Sequence, residues 1–235
     1  MKRDSKPILT HINGEIGTYR EGGLHAGLKT YYSQPASLIE QRVGNFVVDV
    51  LTGNHITEIQ TANFGALKGK LEELVKTHAV TVVYPIVAQK TIVKHTQQGP
   101  TRRKSPRQGR SSDVFDELVY FPQLLSLEPL VLELVFVSVE EHRRHDPKRA
   151  WRRRHWVISE KNLLEVLRFE RYESMAELFD GFATQLPSQF TTADIAKHID
   201  VTRNLARKIA YCFRESQTIT ACGKDGNAIV YQRSG

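Results

Sequence analysis

Helix-like and strand-like patterns of apolar residues alternate along the first 140 residues, which predicts an α/β fold with a mixed sheet. Leucines recur at helical spacing in two segments, and β-branched or alternating apolar residues form four others. The predicted helices cover residues 23–32 and 65–77, and the predicted strands cover 45–51, 55–60, 80–87 and 130–139. The predicted order of the core is therefore α-β-β-α-β, extended by a further pair of strands.

Two segments are strongly basic and lack the pattern of a packed element. Residues 94–110 are rich in Gly, Pro, Ser and Gln and contain six basic residues and no acidic one, which predicts an exposed loop. Residues 142–155 place seven Lys and Arg around Trp151 and, just beyond, Trp156, which predicts an exposed turn. Between these segments, residues 113–127 have a helical pattern that breaks near Pro122.

The composition changes near residue 174, where a small helical unit begins. Residues 191–199 and 201–214 predict two short helices joined by a tight turn, and residues 217–232 predict a hairpin. This order is similar to that of a winged helix-turn-helix domain. We therefore predict a first domain over residues 1–172 and a C-terminal winged helix domain over residues 173–235.

Charge and cysteine content narrow the classes of function. The chain has 33 Lys and Arg against 26 Asp and Glu, a net charge of +7, which favours a polyanionic partner. Cys212 and Cys222 lack the spacing of a structural zinc site or a disulfide framework. Residues 1–7 lack an apolar targeting segment, and no stretch is apolar enough to span a membrane. We expect a soluble, cytoplasmic protein without a membrane partner.

Asp49 and Glu58 are the strongest candidates for chemistry. Each lies on one strand of the first predicted hairpin within apolar sequence, where a charge is costly unless it is neutralised. A divalent cation such as Mg²⁺, bound between two strand carboxylates, would supply that counter-charge. The alternative is that these carboxylates face solvent on the polar side of the sheet.

These residues resemble the motif of the PD-(D/E)XK, or restriction-endonuclease-like, nucleases over residues 19–93. Asp49 stands at the first metal-binding Asp of that family, Glu58 and Gln60 stand at its Glu-x-Lys, and Glu21 matches a helical Glu of some members. The resemblance implies an α-β-β-β-α-β core or a close variant. It also implies DNA phosphodiester hydrolysis with Mg²⁺ or Mn²⁺, in which Glu21, Asp49 and Glu58 hold the metal and Gln60 positions the attacking water.

Gln60 replaces the lysine of the family motif, so another cation is expected to reach the site unless the chemistry runs without one. Lys68 and Lys90 are the candidates. Charged residues of the predicted helix over 65–77, Lys68 among them, have the spacing of ion pairs on a solvated face. These residues are Lys68, Lys70, Glu72, Glu73 and Lys76. His25, on the first predicted helix, is expected to be structural or exposed, although it could assist phosphate binding near Glu21.

The resemblance to a winged helix implies that the second predicted helix and the wing contact DNA, and the basic segments extend this surface. The predicted nucleic-acid contacts are Arg203, Asn204, Arg207, Lys208, Lys224, Arg152, Arg153, Arg154, Arg102, Arg103 and Lys104. Tryptophans beside arginines also suit base stacking. Against this, winged helices also dock proteins, and both tryptophans could pack on the sheet.

The sequence thus predicts a metal-dependent nuclease that a winged helix targets to DNA. A second interpretation is a non-catalytic DNA-binding protein whose degenerate nuclease core serves binding or dimerisation. A third is an RNA-processing or RNA-binding factor. A homodimer is compatible with each of them.

Overall fold

The computed structural model describes residues 22–184 and 186–234. Its helices are α1 (Gly23–Tyr32), α2 (Lys68–Leu74), α3 (Phe115–Leu118), α4 (Met175–Ala183), α5 (Thr192–His198) and α6 (Arg203–Glu215). Its strands are β1 (Leu38–Val43), β2 (Phe46–Thr52), β3 (His55–Ile59), β4 (Ala79–Thr96), β5 (Gly99–Lys104), β6 (Leu130–His145), β7 (Trp156–Tyr172), β8 (Gln189–Phe190), β9 (Ile219–Asp225) and β10 (Ala228–Arg233). None of the described helices is long and apolar enough to cross a bilayer.

Among the described residues, seven strands form one mixed sheet in the order β1-β2-β3-β4-β6-β7, with β5 added beside the distal part of β4. β2 is antiparallel to both of its neighbours, β1 and β3, whereas β3, β4 and β6 run parallel. Parallel neighbours need a crossover connection, and α2 provides one between β3 and β4. The predicted α/β class with a mixed sheet is confirmed.

Helices cover both faces of the sheet. Leu24 and Leu28 of α1 pack with Ile59, Val83 and other apolar residues of the central strands. On the other side, the apolar residues of α2 join a larger core that also contains residues of β4 and β6. The first predicted helix, over residues 23–32, has the predicted bounds, and a short 3₁₀ turn (Phe64–Leu67) precedes α2.

The structure corrects the loop predicted over residues 94–110. β4 continues to Thr96, turns at Gly99, and pairs with β5 in an antiparallel register from Thr91 with Lys104 to Thr96 with Gly99. β6 likewise extends to His145, so the exposed turn predicted from residue 142 is shorter. Main-chain hydrogen bonds to a neighbouring strand hold these polar segments, and hydrophobic periodicity does not detect them.

Two further differences concern elements with weak patterns. β1 was not predicted, because most of its side chains are exposed and they lack apolar alternation. Residues 113–127, predicted to be helical, form only α3 and flanking 3₁₀ turns, because the chain is interrupted by Pro122 and short turns.

The C-terminal unit contains the predicted pair of helices, α5 and α6, and the predicted hairpin, β9 and β10. Thr191 caps α5 together with Asp194, and Thr202 caps α6. The unit is not isolated from the sheet: Phe115 of α3 contacts Phe213 of α6, with ring centroids 5.1 Å apart. The division at residues 172 and 173 stays a prediction.

Candidate functional site

Asp49 and Glu58 lie side by side on β2 and β3. These strands are antiparallel, with Val50 opposite Thr57, so the next positions face each other across the hairpin. The Ile59 N–H donates to Asp49 Oδ2 at 2.8 Å, and the Asp49 N–H donates to Glu58 Oε1 at 3.4 Å. The hairpin thus brings the two predicted carboxylates together.

His25 of α1 contacts Asp49. Its Nε2 lies 2.9 Å from the Ile59 carbonyl oxygen and 3.3 Å from Asp49 Oδ2. Both neighbours accept hydrogen bonds, so Nε2 carries the proton. Burial opposes ionisation of Asp49, but the hydrogen bonds from His25 and Ile59 outweigh burial and hold the pKa of Asp49 below its ordinary value. Asp49 is therefore a carboxylate at neutral pH.

Lys70 of α2 places a positive charge beside Glu58. Its Nζ lies 2.6 Å from Glu58 Oε2 and donates to the Val47 carbonyl oxygen, also at 2.6 Å. Only 4% of the Glu58 side chain is exposed. Burial raises the pKa of Glu58 above its ordinary value, and Lys70 opposes that rise. The protein itself neutralises Glu58, so a metal is not required to explain the burial of this carboxylate.

The position of Lys70 corrects the prediction of a solvated charged face. Glu73 and Lys76 do pair at an exposed surface, but Lys70 turns inward. The signal was present in the sequence: Lys70 follows Leu67 by three residues and precedes Leu74 by four, and both leucines are buried. A lysine within the apolar stripe of a helix must reach a carboxylate, a carbonyl oxygen or solvent.

The two lysines proposed to replace the family lysine make other contacts. Lys68 Nζ lies 6.0 Å from the centre of the Phe121 ring, and Lys90 Nζ lies 3.6 Å from Glu141 Oε2 on β6. Sequence reasoning therefore missed the lysine that reaches the carboxylates, which is Lys70.

Two other predicted site residues do not join the cluster. The Gln60 side-chain amide donates to the Ala62 carbonyl oxygen and, at 3.3 Å, to that of Asn63, so it is turned toward the loop that follows β3. Glu21 lies outside the described residues. The roles of both residues stay predictions.

Asp49 and Glu58 fit the donor chemistry of Mg²⁺, a hard cation that binds oxygen ligands. Mg²⁺ is commonly held by one or two carboxylates together with substrate phosphates. Within the part of the chain that the structure describes, no group of three or more His, Cys, Asp or Glu side chains is arranged to hold a metal. The two strand carboxylates are the minimal protein donor set for such an ion.

Most of the predicted nucleic-acid contacts are exposed, and two are engaged in ion pairs. The exposed residues without a described ion pair are Arg103, Lys104, Arg152, Arg153, Arg154, Arg203, Asn204, Arg207 and Lys224. Arg102 pairs with Glu140. Lys208 donates to Asp116 Oδ1 at 2.8 Å, and this hydrogen bond raises the pKa of Lys208.

The distal strands form a strongly basic surface, which we call the basic arm and define as residues 90–110 and 140–161. The arm contains the outer parts of β4, β6 and β7 together with β5. It holds 15 Lys and Arg but 4 Asp and Glu, a net charge of +11, whereas the whole chain carries +7. The rest of the chain is thus slightly acidic, and the basic character of the protein is concentrated in this arm.

Comparisons with known proteins match the part of the chain that holds the carboxylate cluster and the basic arm. Residues 22–173 match a family model described as a domain of unknown function, DUF8091. A protein from Treponema pallidum (strain Nichols), described as uncharacterized, is 33% identical over 185 residues, which cover 77% of this chain and 74% of that protein. No solved structure matches the chain.

Proposed function

The chain belongs to the DUF8091 family, and from the geometry of its own site we propose that it catalyses metal-dependent hydrolysis of DNA phosphodiester bonds. The observation that carries this proposal is the cluster of Asp49, Glu58 and Lys70. Two carboxylates on adjacent strands, with an ammonium group 2.6 Å from one of them, supply the side-chain chemistry of a phosphodiesterase site.

The order of elements supports the proposal. The chain runs α1-β1-β2-β3-α2-β4, which is the α-β-β-β-α-β order implied by the resemblance to the PD-(D/E)XK nucleases. The sequence pattern alone lacked one strand of that order, and β1 supplies it. The two carboxylates lie on β2 and β3, which form the hairpin that the sequence predicts for them.

Asp49 and Glu58 would hold the metal, and substrate phosphate oxygens would complete its ligands. When bound, Mg²⁺ or Mn²⁺ would lower the pKa of a water molecule and stabilise negative charge on the phosphate. His25 keeps Asp49 ionised and oriented by donating through Nε2. Glu21 is proposed as a further ligand on the resemblance alone.

Lys70 takes the role that the family motif gives to the lysine of Glu-x-Lys. Its side chain is partly buried on the apolar side of α2, and its ammonium group lies against Glu58. There it can place positive charge next to a phosphate as charge develops, a contribution that the neutral amide of Gln60 cannot make. Gln60 is therefore proposed as a secondary group that orients water.

DNA binding is assigned to the basic arm and to α6. The arm carries a net charge of +11, which suits the phosphate backbone. The helix pair α5 and α6 and the β9–β10 hairpin have the order of a winged helix, and Arg203 and Arg207 are exposed on α6. Lys208 is assigned to the contact with Asp116 instead of to DNA.

A cutting assay with matched variants tests the proposal. Wild-type protein is incubated with duplex, single-stranded and branched DNA in Mg²⁺, Mn²⁺ or chelator. Asp49→Asn should lower cutting at least about a hundredfold because an essential charge is lost, while DNA affinity stays within about twofold. Glu73→Gln, which changes an exposed carboxylate of α2, is the control and should cut normally. Equal loss of cutting and affinity in D49N would contradict the assignment.

A second candidate is a DNA-binding protein without catalysis. The observation that favours it is the pairing of Glu58 with Lys70, which satisfies the buried carboxylate without a metal. The same assay separates the two candidates: wild-type protein that binds DNA but leaves every substrate intact in both metals would establish the second.

A further inference from the structure

We propose that Trp151, at the end of the basic arm, is a stacking platform for unpaired bases, so that the substrate carries a single-stranded segment. This inference rests on the proposed function only in taking nucleic acid as the ligand. It is carried by the exposure of one indole ring, by the turn that presents it, and by the charge around it.

The turn at the end of the arm, residues 146–155, holds Trp151 outward. The Trp151 side chain is 73% exposed, although an indole is one of the largest apolar groups a protein can bury. Ala150, Arg154 and His155 adopt positive φ, a region that residues other than glycine mostly avoid. Backbone N–H groups of Arg153 and His155 donate to the Ala150 carbonyl oxygen. The indole is therefore displayed by an ordered turn.

The two tryptophans of the arm differ in availability. Lys94 Nζ lies 4.6 Å from the centre of the Trp156 ring, and the Trp156 side chain is half-buried at the base of the turn. Arg152 Cζ also lies near the Trp151 ring, 5.2 Å from its centre, but 73% of the Trp151 side chain stays exposed. Trp151 can accept a stacked base, whereas Trp156 is already covered by a cation.

The surroundings of Trp151 match a single nucleic-acid strand. Arg152, Arg153 and Arg154 are exposed beside the indole and can contact successive phosphates. Aromatic rings that stack on bases, within a positively charged surface that follows the backbone, are the means by which proteins bind single strands without sequence preference. A paired base offers no open ring face away from the duplex ends, so Trp151 selects unpaired bases.

The length of the arm limits how far this platform lies from the carboxylates. Glu58 pairs with Val82 on β4, and His95, near the end of that strand, lies thirteen positions after Val82. At ~3.3 Å per residue this part of β4 is at most about 43 Å long, and Trp151 lies beyond its end, on the turn that follows β6. This corresponds to about 12 base pairs at ~3.4 Å each. A cut by the proposed nuclease should thus fall on the order of 12 base pairs from the unpaired segment.

Tryptophan fluorescence tests the proposal in chelator, where nothing is cut. Trp156→Phe leaves Trp151 as the single tryptophan, and the probes are a 12-nucleotide oligo(dT), a 12-nucleotide oligo(rU) and a blunt 12-base-pair duplex. We expect oligo(dT) to quench Trp151 and the duplex to quench it little. Trp151→Ala should weaken oligo(dT) binding at least about fivefold and leave duplex binding unchanged.

Arg153→Ala is the matched control for charge and should weaken oligo(dT) and duplex binding by similar factors while reducing the salt dependence of both. Because Trp151 is exposed, W151A should retain the far-ultraviolet circular dichroism of the wild type. The proposal is overturned if neither oligo(dT) nor oligo(rU) quenches Trp151, or if W151A weakens binding of the single strand and of the duplex by equal factors.

The outcome is separable from that of the nuclease assay. If oligonucleotides quench Trp151 but no DNA is cut, the stacking proposal stands and the nuclease proposal fails. If DNA is cut but Trp151 is not quenched, the nuclease proposal stands and the stacking proposal fails. Tighter binding and stronger quenching with oligo(rU) than with oligo(dT) would keep the platform but transfer the substrate from DNA to RNA.

Discussion

The ammonium group of Lys70 and the imidazole of His25 control the charge of two strand carboxylates. Each carboxylate has its own helix-borne partner: Lys70 of α2 for Glu58, and His25 of α1 for Asp49. Asp49 is the more exposed of the two and keeps a lowered pKa, whereas burial raises the pKa of Glu58. Similar groups thus differ in their ease of ionisation because their surroundings differ.

Removing Lys70 should destabilise the protein strongly. Lys70→Met leaves Glu58 as a buried charge without its partner, and breaking such a pair costs about 3 kcal/mol or more. Urea unfolding in metal-free buffer at neutral pH measures the change. Lys76→Met is the control on the same segment, because its pair with Glu73 is exposed and worth less than about 1 kcal/mol.

A double variant tests whether the loss of stability in K70M comes from the unpaired charge of Glu58. Adding Glu58→Gln to K70M removes that charge and should restore most of the lost stability. If K70M and K76M lose equal stability, or if E58Q fails to rescue K70M, the ion pair does not have the role assigned to it.

At the scale of elements, the position of α1 depends on a close approach to β7. A Cβ added at Gly27 would lie 2.8 Å from Leu163 Cβ, whereas one added at Gly69 of α2 meets no atom within 4 Å. The small residue therefore lets α1 lie against the sheet, and this packing places His25 next to Asp49. The helix position matters to the site because Asp49 is oriented from α1.

Two alanine substitutions should have opposite effects. Gly69→Ala should stabilise the chain by about 0.5–1 kcal/mol, because alanine favours a helix and the site is open. Gly27→Ala gains the same helix propensity but must displace Leu163, so we expect a net loss of about 1 kcal/mol or more. Urea unfolding compares the two variants, and a stabilised G27A would show that α1 can shift without cost.

At the scale of the whole molecule, one apolar core joins the sheet to the C-terminal unit. Buried residues of β4 and β6 belong to the same cluster as buried residues of α4 and α6. Phe115 lies at the junction, fully buried, and its ring contacts those of Phe182 and Phe213. Charge is separated at this scale as well, because the basic arm contributes no residue to this shared core.

We expect the chain to unfold in a single cooperative transition. Arm tryptophan fluorescence and far-ultraviolet circular dichroism should give the same urea midpoint, and Phe115→Ala should lower both by the same amount at a cost of about 3–5 kcal/mol. Tyr120→Ala is the control, because that ring is exposed and its loss should change stability by less than about 0.5 kcal/mol. Two separate midpoints would indicate independent domains.

The local pattern of apolar and turn residues was enough to predict helices that pack by one face and strands that pair with a neighbour close in sequence. α1, the β2–β3 hairpin, α5 and α6 follow from periodicity and turn residues. Asp49 and Glu58 could be identified as neighbours because a two-residue turn joins their strands, so their proximity is set within about ten residues. The net positive charge of the chain could also be predicted from the sequence, but the concentration of that charge in one arm could not.

Only the tertiary structure decided which groups meet the carboxylates and where the polar strands end. Lys70 and His25 reach the site because α1 packs against β2, β3 and β7 and α2 packs against β4, and that packing depends on contacts between distant parts of the chain. β1, β5 and the outer halves of β4, β6 and β7 have few buried apolar residues. Their main chains are held by neighbouring strands, so no side-chain pattern in the segment itself records the pairing.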